Sequence, residues 1–343
     1  MSGSRRVLVT GGAGYIGSHT AKALAAAGHV PVVFDDLSNG HAEAVRWGPL
    51  VVGDVRDRAA LERCMRTHRI DAVINFAGLI EVGRSMTEPA AFWDVNLGGM
   101  ATILDAMRAA GVERLVFSST AAVYGQPDVG SLAPLRETLP TLPINPYGDS
   151  KLAAERLIAA SARAYGLKAV ALRYFNACGA DPDGEIGEAH EPESHLIPLA
   201  VEAALGLGPA LTVFGTDFPT LDGSCVRDYV HVCDLARAHV LALSAECGPQ
   251  GFLAANLGTG RGASVLEIVE AVGRAVGRAV PHTFGARRAG DPASLVADPG
   301  RARDALGWTA ACSDLETIVG SAVAWRRAPA FGRRLLGGLK AVA

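Results

Sequence analysis

Val7-Leu8-Val9-Thr10 runs directly into Gly11-Gly12-Ala13-Gly14-Tyr15-Ile16-Gly17, so a strand-like apolar run ends in glycines spaced by three and gives way to a helical pattern. A strand, a glycine turn and a helix in that order commit a chain to βαβ units and a parallel sheet. The first half keeps that rhythm. β-rich runs at about 6–10, 30–35, 49–53, 71–76, 112–119 and 168–175 alternate with helical patterns at about 15–28, 57–69, 88–110 and 146–166. After Asn176 a loop rich in Gly, Pro, Asp and Glu (179–192) breaks the rhythm, followed by a helical stretch near 195–207. Residues 226–247 and 252–256 read as a helix and a strand returning to the first lobe, and 264–279 and 313–327 as helices of the second. The expectation is an α/β chain with a doubly wound parallel sheet (1–176, with returning segments at about 226–257) and a smaller C-terminal α/β lobe (177–225 and 258–343).

Hydrophobic residues make up 49% of the chain, enough to fill a core. The net charge of −3 provides no general field for nucleic acid or an anionic membrane. Arg326-Arg327 and Arg333-Arg334 are interrupted by Pro329 and Gly332 and read as a solvated tail. No apolar run reaches membrane-spanning length, and the start leads at once into the first strand, where a signal peptide would continue apolar. The cytoplasm is the expected location. The six cysteines form no CxxC pair and no His-Cys set at zinc spacing, so reduced thiols and no metal are expected.

In the turn after the first strand, glycine lets the backbone bend tightly and approach a pyrophosphate, which then rests on the N–H groups of the following helix. Gly11, Gly14 and Gly17 are therefore candidate cofactor residues. The second strand ends in Phe34-Asp35-Asp36, 18 residues past Gly17. A carboxylate there accepts from ribose hydroxyls and repels a 2′-phosphate, which favours NAD over NADP. Asp54, ending the third strand, is a weaker candidate for the adenine end.

Tyr147-Gly-Asp-Ser-Lys151 places a phenol and an ammonium four apart on one helical face. Six tyrosines and four lysines in 343 residues make about 0.07 such pairs expected by chance. A tyrosine with a pKa of about 10 works as a base near neutrality only when a positive neighbour stabilises its phenolate. An exposed hydrogen-bonded pair would show the same spacing.

The glycine spacing, Tyr147xxxLys151 and Thr120 at the end of the fifth strand together resemble the extended short-chain dehydrogenase/reductase family. Phe76-Ala77-Gly78-Leu79, Ser118 to Gly125, Arg173-Tyr174-Phe175-Asn176, Val226 to Val232 and Arg287 to Pro292 resemble its UDP-glucose 4-epimerase branch in order and spacing across roughly residues 6 to 310. The resemblance implies a Rossmann-type fold, bound NAD and a UDP-sugar substrate. It implies that Tyr147 takes the sugar O4 proton, Lys151 holds the nicotinamide ribose and lowers the tyrosine pKa, and Thr120 hydrogen-bonds O4. Around the cofactor it implies Tyr15, Ile16, Asn39, Val55, Phe76, Ala77, Gly78, Asn96 and Tyr174, beside the glycines and the two aspartates. Arg227 and Arg288 would pair with the UDP pyrophosphate, Asn176, Leu196, Thr212 and Phe214 would border the nucleotide, and Asp291 would meet a uridine ribose hydroxyl. His231 is read as structural.

Related dehydratases carry an Asp-Glu pair where this chain has Ala121 and Ala122, and alanine moves no proton. Hydride removal from C4, rotation of a 4-keto sugar and hydride return are what remain. Three departures bear on that expectation. Glu81 stands where relatives often carry lysine near the cofactor, Leu295 where some place tyrosine at the sugar pocket, and His195 where some have asparagine. UDP-xylose/UDP-arabinose or UDP-N-acetylglucosamine epimerisation, and a noncatalytic NAD-binding regulator, are the competing readings. The resemblance also implies a homodimer, with the apolar faces of 88–110 and 146–166 as the candidate surface.

Overall fold

A computed structural model describes residues 3–126, 133–288 and 291–332. Its centre is a seven-stranded sheet in the order Phe252–Leu257, Lys168–Tyr174, Arg114–Thr120, Ala72–Asn75, Arg6–Thr10, Val30–Asp35, Leu50–Val52, with every pair parallel. Side chains alternate faces along each strand, and so feed two cores. Leu8, Val73, Leu115 and Phe117 meet Leu61 and Met65 of helix Arg58–His68, Ile103 and Met107 of Gly99–Ala110, and Ile158 of Pro146–Tyr165. Val7, Val9, Ile74 and Val116 meet Leu24 of helix Tyr15–Ala26 and Leu235 and Ala238 of Val232–Ala242 on the other face. Strand order reverses between Arg6–Thr10 and Ala72–Asn75. The crevice beyond the carboxyl ends of those two strands is where such sheets take ligands.

A separate core of Ile197, Val201, Ile268, Val272, Ile318 and Val319 joins helices Leu196–Leu205, Val265–Val276 and Leu315–Arg327. Short strands lie beside them: Leu211–Phe214 pairs with His282–Gly285, and Val226–Arg227 lies between Ala263–Ser264 and Ser294–Leu295. Helix starts follow capping chemistry. Asp57 accepts from the Ala60 N–H at 2.9 Å, Asp314 from the Thr317 N–H at 2.8 Å, and Ser264 with Glu267 forms a capping box.

Two stretches differ from the sequence expectation. The single helix over 88–110 is three pieces, Pro89–Phe92, a π-helical turn at Trp93–Gly98, and Gly99–Ala110. The wider turn carries buried Asn96 inward, whose bonds reach the neighbouring loop and helix. Residues 226–247 begin as two strands, Val226–Arg227 and Tyr229–His231, and become helical only at Val232–Ala242, because the His231 ring caps that helix by accepting from the Cys233 N–H at 3.1 Å. His231 is buried, and its Nε2 lies 3.1 Å from the Ser321 hydroxyl. The six cysteines are free thiols. Among the described residues no helix is long and apolar enough to cross a membrane. Arg326 pairs with Glu202, whereas Arg333 and Arg334 lie outside the described residues.

Candidate active site

The glycine turn is built by close backbone approach. Gly11 has φ +72°, and a Cβ there would lie 2.5 Å from the Ala77 nitrogen. A Cβ on Gly17 would lie 2.2 Å from the Gly11 carbonyl oxygen. Neither position admits a side chain. Gly14 precedes helix Tyr15–Ala26 without any side-chain cap, which leaves the positive helix end available to an anion. Asp35, 7% exposed, braces the turn: its two oxygens accept from the Ala13 and Leu37 N–H groups, each at 2.9 Å. Burial pushes that carboxyl above its ordinary value, against the pull of those two bonds. Asn39 lines a small cavity with Ala13, Gly14 and Tyr15, and the Tyr15 hydroxyl donates to the Gly179 carbonyl at 2.5 Å. Asp54 is held by Arg56, which keeps its carboxyl below the usual range. Val55 is buried and would touch a Cβ on Gly99 at 2.9 Å.

Across the switch point, Phe76-Ala77-Gly78 leaves the fourth strand. Phe76 stacks on His239 at 4.6 Å, and Tyr174 lies 6.1 Å from the same ring. The Tyr174 hydroxyl bonds Ser118, and burial pushes its pKa up. The Asn96 amide accepts from the Leu79 N–H at 2.8 Å and donates to the Leu79 carbonyl and the Ser150 hydroxyl at 3.1 and 3.0 Å. Its bonds therefore position the Gly78-Leu79 loop.

The catalytic candidates meet where the fifth strand and helix Pro146–Tyr165 converge. Asn145 caps the helix by accepting from the Gly148 N–H at 2.8 Å, and Pro146 opens it, which places Tyr147 in the first turn. Gly148 allows the approach, since a Cβ there would lie 2.8 Å from the Ala122 carbonyl oxygen. Thr120, 8% exposed, accepts from the Ala122 N–H at 3.1 Å, and its side chain acts on the Tyr147 phenol. Burial holds the Tyr147 phenol above its ordinary pKa, and Thr120 pulls it down. Lys151 is buried one turn on. Its Nζ donates to the Ser118 carbonyl at 3.1 Å and would stand 3.4 Å from a Cβ on Gly78. Burial pushes it down to about 8. The ammonium thus stands beside Gly78, at the loop that follows the fourth strand. Ala121 and Ala122 bring no proton carrier to the site.

Of the residues expected around the nucleotide, Asn176, Thr212, Phe214 and Arg227 lie on short strands, Leu196 opens a helix, and Arg288 and Asp291 lie between the strands His282–Gly285 and Ser294–Leu295. Arg227 donates to Asp291 at 3.2 Å and to the Pro292 carbonyl at 3.0 Å, and Arg288 stacks over Phe214 at 4.1 Å. Thr212 and Phe214 lie on the strand paired with His282–Gly285. Asn176 opens a short strand beside Tyr229–His231, and Leu196 is the first residue of its helix. Glu81 lies 3.8 Å from Arg84, so a cation is one turn away. Leu295 packs with Val123, Tyr124 and Phe175, and His195 bonds Glu188.

A buried network behind the site escaped the sequence reading. Arg173 and Glu155 form an ion pair at 2.6 Å with side-chain exposures of 7% and 4%, and Glu155 also accepts from Ser119. Arg173 donates to the Tyr124 hydroxyl at 3.0 Å, which donates to Asn256 at 2.7 Å. The available signal was Glu155 two turns past Tyr147 on the same helical face.

Residues 7–257 match the NAD dependent epimerase/dehydratase family. The chain belongs to that family. It is 50% identical over 325 residues, 94% of this chain and 92% of the relative, to a UDP-glucose 4-epimerase of Azospirillum brasilense. Among solved structures, a Brucella ovis UDP-glucose 4-epimerase in complex with NAD aligns with a TM-score of 0.89 and 52% identity, covering 94% of this chain and 98% of that one. A Stenotrophomonas maltophila UDP-glucose-4-epimerase with bound NAD and formylated UDP-arabinopyranose aligns with a TM-score of 0.89 and 43% identity, with 94% and 98% coverage. For a member of the NAD dependent epimerase/dehydratase family the residues present fit the cofactor on geometry. The cradle at Gly11 and Gly17 is one that a Cβ would fill, the helix end is uncapped, and Asp35 closes the second strand.

Proposed function

We propose that the chain inverts C4 of UDP-sugars, interconverting UDP-galactose and UDP-glucose, with NAD that stays bound. Bound NAD supplies the hydride acceptor and then the donor at C4. Gly11, Gly14, Tyr15, Ile16, Gly17, Asp35, Asn39, Asp54, Val55, Phe76, Ala77, Gly78 and Tyr174 would hold it, with Asn96 fixing the Gly78-Leu79 loop. Tyr147 takes the O4 proton as C4 is oxidised and returns it when C4 is reduced. Thr120 orients O4 and steadies the phenolate, and the Lys151 charge offsets the cost of forming it. Arg227, Arg288 and Asp291 hold UDP with Asn176, Leu196, Thr212 and Phe214, so the 4-keto sugar can turn over without leaving.

The observation that carries this reading is the Thr120–Tyr147 pair beside buried Lys151, with alanines where a dehydratase needs an acid and a base. The test is purified protein given UDP-galactose, with products resolved by NMR. We expect UDP-glucose without net NADH, and a Tyr147→Phe loss of about 10³-fold or more in turnover with cofactor retained. A fully active Tyr147→Phe enzyme overturns the assignment. Leu295, where some relatives carry a tyrosine, raises the alternative of an N-acetylated sugar, which a panel including UDP-N-acetylglucosamine and UDP-xylose decides. The enzyme works in the cytoplasm in galactose metabolism. It acts as a homodimer formed through 88–110 and 146–166, where Trp93 is 40% exposed, and sedimentation analysis would show two chains.

A further inference from the structure

We propose that Glu188, His190, Glu193 and His195 form a site for one zinc ion, closed by four protein ligands and separate from the catalytic residues. One ligand atom from each lies within 4.8 Å of all the others. His190 Nδ1 is 3.1 Å from Glu188 Oε1 and 3.9 Å from Glu193 Oε1, and His195 Nδ1 is 3.9 Å from Glu193 Oε1. Four ligands placed tetrahedrally about 2.0–2.1 Å from a zinc ion stand about 3.4 Å from one another, within this range. The Glu188–His195 contact is shorter and would open to admit the ion.

Two further observations point to a missing cation. His190 Nδ1 is buried and has no hydrogen-bond partner, although it lies at hydrogen-bonding distance from a carboxylate oxygen. Lone pairs aimed at a common point, as around a metal, give that geometry. The two carboxylates are 5% and 8% exposed, and among the described residues their ion-pair partners are the His190 and His195 rings and no Lys or Arg, so zinc would take the place of a proton shared between imidazole and carboxylate. A second acidic cluster in the same loop shows the contrast. Asp181, Asp183 and Glu185 gather around Lys22 at 2.8, 2.7 and 2.9 Å, and Arg46 reaches Glu185 at 3.1 Å, so there a Lys and an Arg supply positive charge. Two imidazoles and two carboxylates suit a divalent ion of borderline softness, and four protein ligands with no open position make a structural zinc site.

The ion would fasten one part of the molecule to another. The Glu188 carbonyl accepts from Trp325 Nε1 at 2.8 Å, the His190 ring stands edge-on to Tyr15 at 6.3 Å, and His195 immediately precedes helix Leu196–Leu205. Zinc here ties the loop before that helix to the cofactor turn, and the site holds whether or not the epimerase reading does. Cysteine spacing gives no sign of it, because all four ligands are Glu and His.

The test uses the untagged full-length chain, stripped with a chelator and exposed to zinc chloride. We expect one zinc per chain after gel filtration and a raised Tm, and with cobalt the intense visible bands of a four-coordinate ion. His195→Asn and Glu193→Gln should each weaken zinc binding on the order of 100-fold or more. Wild-type protein that retains no zinc, cobalt bands of the weak six-coordinate kind, or variants that bind as tightly as wild type would each overturn the proposal. Should a variant fail to fold, the stoichiometry and cobalt spectrum of the unaltered chain decide.

Discussion

The two ends of the cleft are built from different material. At the cofactor end the shape is backbone, with Gly11 and Gly17 packed so closely that no Cβ fits. At the end proposed for the nucleotide it is side chain, with Arg288 lying on Phe214 and Arg227, on a two-residue strand, tied to Asp291. A backbone site cannot adjust, so one substitution should abolish it. A side-chain site should lose affinity in steps.

Gly17→Val is the largest blow to that contrast. Its Cβ would overlap the Gly11 carbonyl, and we expect purified protein without NAD and a stability loss of about 3 kcal/mol. Denaturing release of the cofactor measures this, and a variant carrying one NAD per chain would break the distinction. Arg227→Ala comes next. It should raise KM for the UDP-sugar about 10- to 100-fold, the worth of one charge-assisted bond, while NAD content stays whole. Cofactor loss in that variant would show that the ends are not independent.

The smallest effect concerns the helices behind the cofactor turn. Burial holds the His19 and His239 imidazoles down to about 3 and about 4, with His231 and Lys22 adding to the effect on His19. In the unfolded chain both take a proton below about pH 6.5, and in the native chain they stay neutral. Stability therefore falls as pH drops from about 6.5 toward the folded values, by about 1 kcal/mol for each histidine between pH 7 and 5.5. Thermal melts should show a shallower decline for His239→Gln, and equal slopes would contradict the account.

The same contrast explains what was legible in the sequence. Gly11, Gly14, Gly17 and the strand-helix rhythm are local, because backbone geometry at a turn permits few residue types, and the parallel sheet followed from them. Tyr147 and Lys151 were legible as one helical face. The break at Trp93–Gly98 was not, since no proline interrupts it and its cause is Asn96 reaching Leu79 and Ser150 across the fold. Arg173 and Glu155 were missed for a similar reason: they are 18 residues apart on a strand and a helix, and only packing makes them a pair. On the nucleotide side the residues came from resemblance, because an isolated arginine carries no signal of its own.

The central claim is that the hydride leaves C4 and returns to the same carbon without escaping. UDP-galactose carrying deuterium at C4 tests it directly, with the UDP-glucose formed analysed by NMR and mass spectrometry. We predict full retention of deuterium at C4 and no accumulation of NADH. Protium appearing at C4 from solvent, or release of deuterated NADH in step with product, would contradict the account.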